Sequence, residues 1–277
     1  EILAALLRCP LTAEEFLKLS QTWNHSFGSL RRAQERLKQL TAVGQLHSWR
    51  YATTGPGGGR FYYKLTLAGY RTVLQDDDAK SPTKRFLSEI SPGRHRHQQG
   101  LSQFVVHTLI AAHQRGIQVV DYYSENTWQI ECGERPLFPD GRFTLILPDA
   151  TRFTYCLELD NSTERILSYK DSDSLLSKMQ RYRVDLVASP EEYRVLFVVT
   201  GSKKRQEHIL KMTRELTGTM SFVPFYVVSL DDYLQEPDAL FAPCFQTTQD
   251  KAIPLLRSQA RQFHSRNSKL ETPAVVC

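Results

Sequence analysis

The sequence predicts an α/β protein in two parts: a small helical module carrying one β-hairpin, then a larger α/β sandwich with a mixed sheet. Three observations predict it. Amphipathic helices and two short strands fill the first 74 residues. Arg194 to Thr200 and Val223 to Ser229 are almost continuous apolar runs, as strands buried on both faces should be. Segments of helical period alternate with those runs, which is the pattern of a sheet covered by helices. With 277 residues, the chain is long enough for two cores. The divisions read as 1–74, a linker at 75–93, a main domain at 94–235 and an extension at 236–277 without a usable motif.

In the first part, Ile2 to Leu7 is a short apolar helix. Thr12 with Glu15 forms a capping box that opens a helix over Ala13 to Ser20. Ser26 to Leu40 follows, with Leu30, Ala33, Leu37 and Leu40 on one face and Arg31, Arg32, Arg36 and Lys38 elsewhere. Gln45 to Ala52 and Phe61 to Thr66 are strands joined by the Gly-rich tip 53–60, and Leu67 begins a further helix. Helix, helix, helix, strand, wing, strand, helix is the order of a winged helix-turn-helix. The tip is no P-loop, since no Gly-Lys-Ser/Thr follows it.

Charge points the same way. Glu1 to Leu74 carries ten Lys/Arg against four Asp/Glu, and the remainder is near neutral. A basic module on a neutral body fits a polyanion, here double-stranded DNA. Arg31, Arg32, Arg36 and Lys38 are the expected groove residues, with Arg60 and Lys64 near the wing. Docking to another protein of a larger assembly is the alternative. Five scattered cysteines without a C-x-x-C pair predict reduced thiols, a cytoplasmic setting and no structural zinc. No apolar run reaches the ~18–20 residues of a membrane span, and no signal peptide is visible. The sequence does not fix the oligomeric state.

The linker contains Asp76-Asp77-Asp78, Ser81-Pro82 and Ser91-Pro92-Gly93. Beyond it, Gly100 to Gln114 is a helix and Val119 to Tyr123 a strand, with Trp128 to Cys132 another short one. Arg142 to Leu147 and Arg152 to Glu158 form a hairpin across Pro148-Asp149-Ala150. Leu175 to Val187 and Ser202 to Leu216 are helices.

The chemistry lies around that hairpin. Asp140 opens one strand, and Glu158 and Asp160, two apart, point to one face of the next. Three carboxylates at one sheet edge suit Mg²⁺ or Mn²⁺. Lys178 and Tyr182, four apart on a helix, share the face that can turn back toward the acids. His97 or His107 can meet the same acids as a proton carrier.

The strings Pro139-Asp140, Glu158-Leu159-Asp160-Asn161-Ser162-Thr163-Glu164, Lys178-Met179-Gln180-Arg181-Tyr182 and Val195 to Thr200 resemble the plasmid replication-relaxation family. The resemblance implies a winged helix followed by a restriction-endonuclease-like domain of the PD-(D/E)xK type. It implies a role in plasmid or mobile-element replication or mobilisation, with other proteins of such a complex as partners. It also implies Mg²⁺-dependent cleavage of DNA, with Asp140, Glu158 and Asp160 as metal ligands and Lys178 and Tyr182 beside them.

One position departs from that pattern. The lysine expected two residues after the glutamate is Asp160. Lys178, or less directly Lys170, is the candidate replacement. Two functions therefore stay open: a metal-dependent nuclease or nickase, and a non-catalytic regulator that keeps a degenerate nuclease fold.

Overall fold

The computed structural model describes residues 1–52, 59–76, 78, 81–132, 136–161, 174–189, 191–218, 222–248 and 252–257. Much of the Gly-rich tip lies outside the described residues, as do Ser162, Thr163, Glu164, Lys170 and most of the final extension. Among the described residues, no helix is long and apolar enough to cross a membrane.

Local capping sets the first elements. Helix α1 spans Ile2–Leu6, and the two-residue strand β1 spans Leu11–Thr12. The Thr12 side chain then accepts from the Glu15 N–H while the Glu15 carboxylate accepts the Thr12 N–H, opening α2 (Ala13–Leu19). Helix α3 (Leu30–Ala42) begins four residues later than its periodicity suggests. Ser29 is its cap, accepting from the Arg32 N–H, so Ser26 to Gly28 lie before the helix. Strands β2 (Leu46–Arg50) and β3 (Phe61–Leu65) pair antiparallel, and β1 joins the free edge of β3. Helix α4 (Leu67–Leu74) closes this region. It packs so tightly that a Cβ on Gly69 would lie 2.1 Å from the Gln45 carbonyl oxygen.

The second sheet has seven strands. Helices α5 (Lys84–Leu87) and α6 (His95–Gln114) precede β4 (Gln118–Ser124), β5 (Gly141–Ile146) and β6 (Arg152–Asp160). Then come α7 (Leu175–Ala188), β7 (Tyr193–Val199), α8 (Lys203–Thr217), β8 (Phe225–Ser229), α9 (Leu230–Gln235), β9 (Phe245–Gln246) and β10 (Ala252–Ile253). The order is β10-β9-β8-β7-β6-β5-β4, with β6, β7 and β8 parallel and every other neighbouring pair antiparallel. The expected strand at Trp128 to Cys132 is a single bridge, Ile130 to Leu137.

Alternation along the central strands divides the core in two. Tyr155, Leu157 and Leu159 of β6 and Leu196 and Val198 of β7 face the layer of α6 and α9. Cys156, Val195, Phe197 and Val199 face α7 and α8. Gly100 lets α6 approach the sheet: a Cβ there would sit 2.9 Å from Leu159 Cδ2.

The two parts share one apolar cluster, in which Leu11 and Phe16 are continuous with Leu101 and Phe104. Polar contacts reinforce the junction. Ser102 Oγ donates to the Pro10 carbonyl at 2.6 Å. His95 is buried, its Nδ1 accepting from the Ala52 N–H at 2.7 Å and its Nε2 donating to the Ile90 carbonyl at 2.8 Å. Lys64, expected near the wing, is buried instead. Its ammonium donates to the Arg85 and Ser88 carbonyls at 2.9 and 2.6 Å, which fastens the connector to β3.

Candidate functional site

The β5–β6 register brings the first two acids together. Gly141 pairs with Leu157, so the next residues outward are Asp140 and Glu158. Asp140 Oδ2 accepts the Leu159 N–H at 2.8 Å, which holds its carboxylate at the mouth of the sheet. Glu158 is buried, and α7 brings two side chains to its carboxylate. Lys178 Nζ lies 3.2 Å from Oε2 and Tyr182 donates its hydroxyl to Oε1 at 2.6 Å. Burial, then the Glu158 charge, raises the Tyr182 phenol well above its usual range, so it remains a donor.

Asp160 has a different neighbour. It shares the α7–α8 face of β6, but its two oxygens accept a bidentate pair from Arg205 of α8, at 2.8 and 2.6 Å. Both side chains are buried. Strand alternation thus puts Glu158 and Asp160 on one face, and two helices divide them. The expected three-acid set does not close around one point. Among the described residues, the group whose ligand atoms lie within 4.8 Å of one another is His97, Glu125 and Asp140.

His97 reaches the site from α6, its Nε2 3.1 Å from Asp140 Oδ1. Burial alone pulls the imidazole down, but the Asp140 hydrogen bond and charge outweigh it and raise His97 above its usual value. Burial pushes the Asp140 carboxyl up. Its bond to His97, the charges of His97 and Lys178 and the Leu159 N–H together bring it below its usual value. Lys178 therefore acts on both acids. His107 lies elsewhere, bonded to the Glu236 carbonyl and set edge-on against Tyr233.

The donor set fits a hard cation. Mg²⁺ commonly uses one or two protein carboxylates and completes its shell with water and phosphate. Asp140 and Glu158 could offer those oxygens, and the half-buried Lys178 ammonium balances them here. Arg205 removes Asp160 from that set, because a guanidinium already neutralises it.

The basic face of α3 is built differently. Arg31, Arg32, Arg36 and Lys38 are all exposed, while Ala33, Leu37 and Leu40 face inward. Arg31 pairs with Glu35 at 2.8 Å and Arg36 donates to Gln39 at 3.2 Å. Arg60 is also exposed, 3.6 Å from Glu14. Lys64 stands apart from this group for the reason given above.

Sequence spacing brought Lys178 and Tyr182 to the acids, since i and i+4 share a helix face. It missed Arg205 and Glu125, which reach the region across the fold and carry no local signal.

No curated protein and no solved structure matches the chain. The family model described as replication-relaxation matches residues 11–194, from β1 to the start of β7, and so takes in the α3 face, Asp140, Glu158, Lys178 and Tyr182. The chain belongs to the replication-relaxation family.

Proposed function

We propose that the protein binds double-stranded DNA through its amino-terminal region and cleaves or nicks it with the group around Asp140 and Glu158. Family membership suggests the setting, replication or mobilisation of a plasmid or mobile element in the bacterial cytoplasm, alongside other proteins of that process. Three helices, an antiparallel hairpin and an exposed basic α3 support reading the first region as a winged helix-turn-helix. The order α6-β4-β5-β6-α7-β7, with an acid heading β5 and Glu-x-Asp ending β6, supports a restriction-endonuclease-like fold.

One observation carries the enzymatic reading. Lys178 stands 3.2 Å from Glu158 and acts on Asp140, supplying from α7 the cation that the strand lacks. Asp140 and Glu158 would hold Mg²⁺ or Mn²⁺, which when bound polarises the phosphate and acidifies an attacking water. Lys178 meets negative charge as it develops on the phosphate. Tyr182 fixes the orientation of Glu158, and His97 holds Asp140 from the α6 side.

The test is conversion of supercoiled plasmid to nicked or linear form with Mg²⁺ or Mn²⁺. Asp140→Ala, Glu158→Ala and Lys178→Ala should each reduce it by roughly 10²-fold or more. DNA binding with no metal-dependent nicking in the parent protein rejects this reading. The second reading, a non-catalytic regulator, is favoured by one observation: Asp160 and Arg205 form a buried pair where the nuclease pattern has a lysine. In that case Lys178 and Glu158 are a structural pair, and DNA binding alone survives the assay.

A further inference from the structure

A cavity of about 400 Å³ lies between the connector, α6 and β4, with Asp140 in its wall. Its walls differ in character. Leu65, Phe86, Ile90 and Leu101 give it apolar surface. Arg8, Lys84, Arg85 and Arg94 place cations around it. The size suits a compact ligand that is apolar at one end and anionic at the other.

The anion end is already built. Arg85 of α5 and Arg94, just before α6, converge on one oxygen, Oε1 of Glu125. Both guanidinia keep substantial exposure, 50% and 40%. Two planar forks around one carboxylate oxygen form the arrangement that recognises a phosphate, and Glu125 occupies it from within. Glu125 also has another neighbour to turn to, since its carboxylate lies within 4.8 Å of the His97 ligand atom.

We propose that this cavity takes one deoxynucleotide unit, its base against the apolar wall and its phosphate against Arg85 and Arg94 in place of Glu125. Asp140 is shared between the cavity and the acid group at the sheet edge. A nucleotide lodged there is therefore held next to the proposed scission point, as enzymes that extrude a nucleotide from a duplex hold theirs. Only this last step, that the nucleotide belongs to the cleaved strand, rests on the nuclease reading. The cavity itself is argued from its lining.

The experiment is calorimetric titration of the full chain in EDTA, where no metal-dependent cleavage occurs. The probes are thymidine monophosphate, thymidine and inorganic phosphate. The monophosphate should bind at least about tenfold tighter than either fragment, because only it spans both walls. Arg85→Gln with Arg94→Gln should weaken it roughly tenfold. Gln98→Trp, which fills the cavity from α6, should abolish it. Glu125→Gln should tighten it several-fold by removing the competing charge. A gain of affinity cannot come from a damaged fold, so this variant keeps the test decisive.

No binding of the monophosphate at millimolar concentration overturns the proposal, as does equal binding of inorganic phosphate or of thymidine. A second arm compares a duplex containing one unpaired thymidine with its fully paired counterpart, also in EDTA. A preference for the unpaired form that Gln98→Trp removes assigns the site to the DNA strand. Monophosphate binding without that preference assigns it to a free nucleotide. Either result stands even if plasmid nicking fails.

Discussion

Helix α3 and the β5–β6 edge both gather charged side chains and treat them in opposite ways. On α3 the cations face water, and Arg31 is 86% exposed although it pairs with Glu35. At the sheet edge, Glu158 and Asp160 are buried, and each is answered by a cation from a different helix. Exposed charges contribute little to folding and can be spent on a partner, where binding a polyanion releases counterions. Buried charges have lost their hydration and depend on their partners. The first group should therefore tolerate change without loss of fold, whereas the second should not.

The largest effect expected is at Asp160. Asp160→Ala takes away the carboxylate that the buried Arg205 holds with two hydrogen bonds and should cost about 3–5 kcal/mol in denaturant unfolding. Asp160→Leu combined with Arg205→Met should recover most of that loss. If the single variant melts like the parent, the pair is not structural and Asp160 returns to the list of chemical groups.

Next is Gly100→Ala. The added methyl meets Leu159 Cδ2 at 2.9 Å, the flexible end of a side chain, so α6 and the leucine should adjust at a cost of about 1–3 kcal/mol. Because α6 carries His97, the proposed nicking of plasmid should fall as well. Unchanged thermal stability would show that Leu159 swings aside freely.

Lys64 tests a buried charge that, among the described residues, is held by carbonyls and by no carboxylate. Burial, then the charge of Arg85, pulls its ammonium down from 10.5 to about 8. The unfolded chain then binds more protons between those values, so stability should rise with pH across that window. The gain between pH 7.5 and 9 is about 1 kcal/mol. Lys64→Met should flatten this rise, measured by unfolding at each pH. An identical slope in the variant would assign the dependence to another group.

The smallest effect on stability is expected on α3. Arg31→Ala with Arg36→Ala should shift unfolding by less than about 0.5 kcal/mol. The same variant should weaken duplex binding and lower the slope of log K against log salt by about 2. A full loss of stability with an unchanged slope would invert the comparison.

How much of this was legible depended on range. Tyr193–Val199 and Phe225–Ser229 announced themselves because strands buried on both faces leave unbroken apolar runs. The capping box at Thr12 was legible because its two partners are three residues apart. Strands β1, β9 and β10 were not, since two residues carry no period. At the site, alternation correctly put Glu158 and Asp160 on one face. Nothing local could say that α7 would meet one and α8 the other, because Arg205 lies 45 residues from Asp160. The burial of Lys64 was equally hidden. A lysine in a strand looks solvent-facing until the connector supplies carbonyls to receive it.

The apolar cluster running from Phe16 to Phe104 has a consequence for where a cut would fall. A DNA-reading unit on a loose tether can deliver scission anywhere within its radius. Here Ser102 is bonded to Pro10 and His95 to Ala52, so the α3 face and Asp140 sit on parts joined by one apolar core and by these bonds. Under the proposed nuclease reading, parts joined in this way would act as a ruler: breaks should appear at one fixed offset from the bound sequence, and lengthening the connector should blur that offset only after the shared core has been broken.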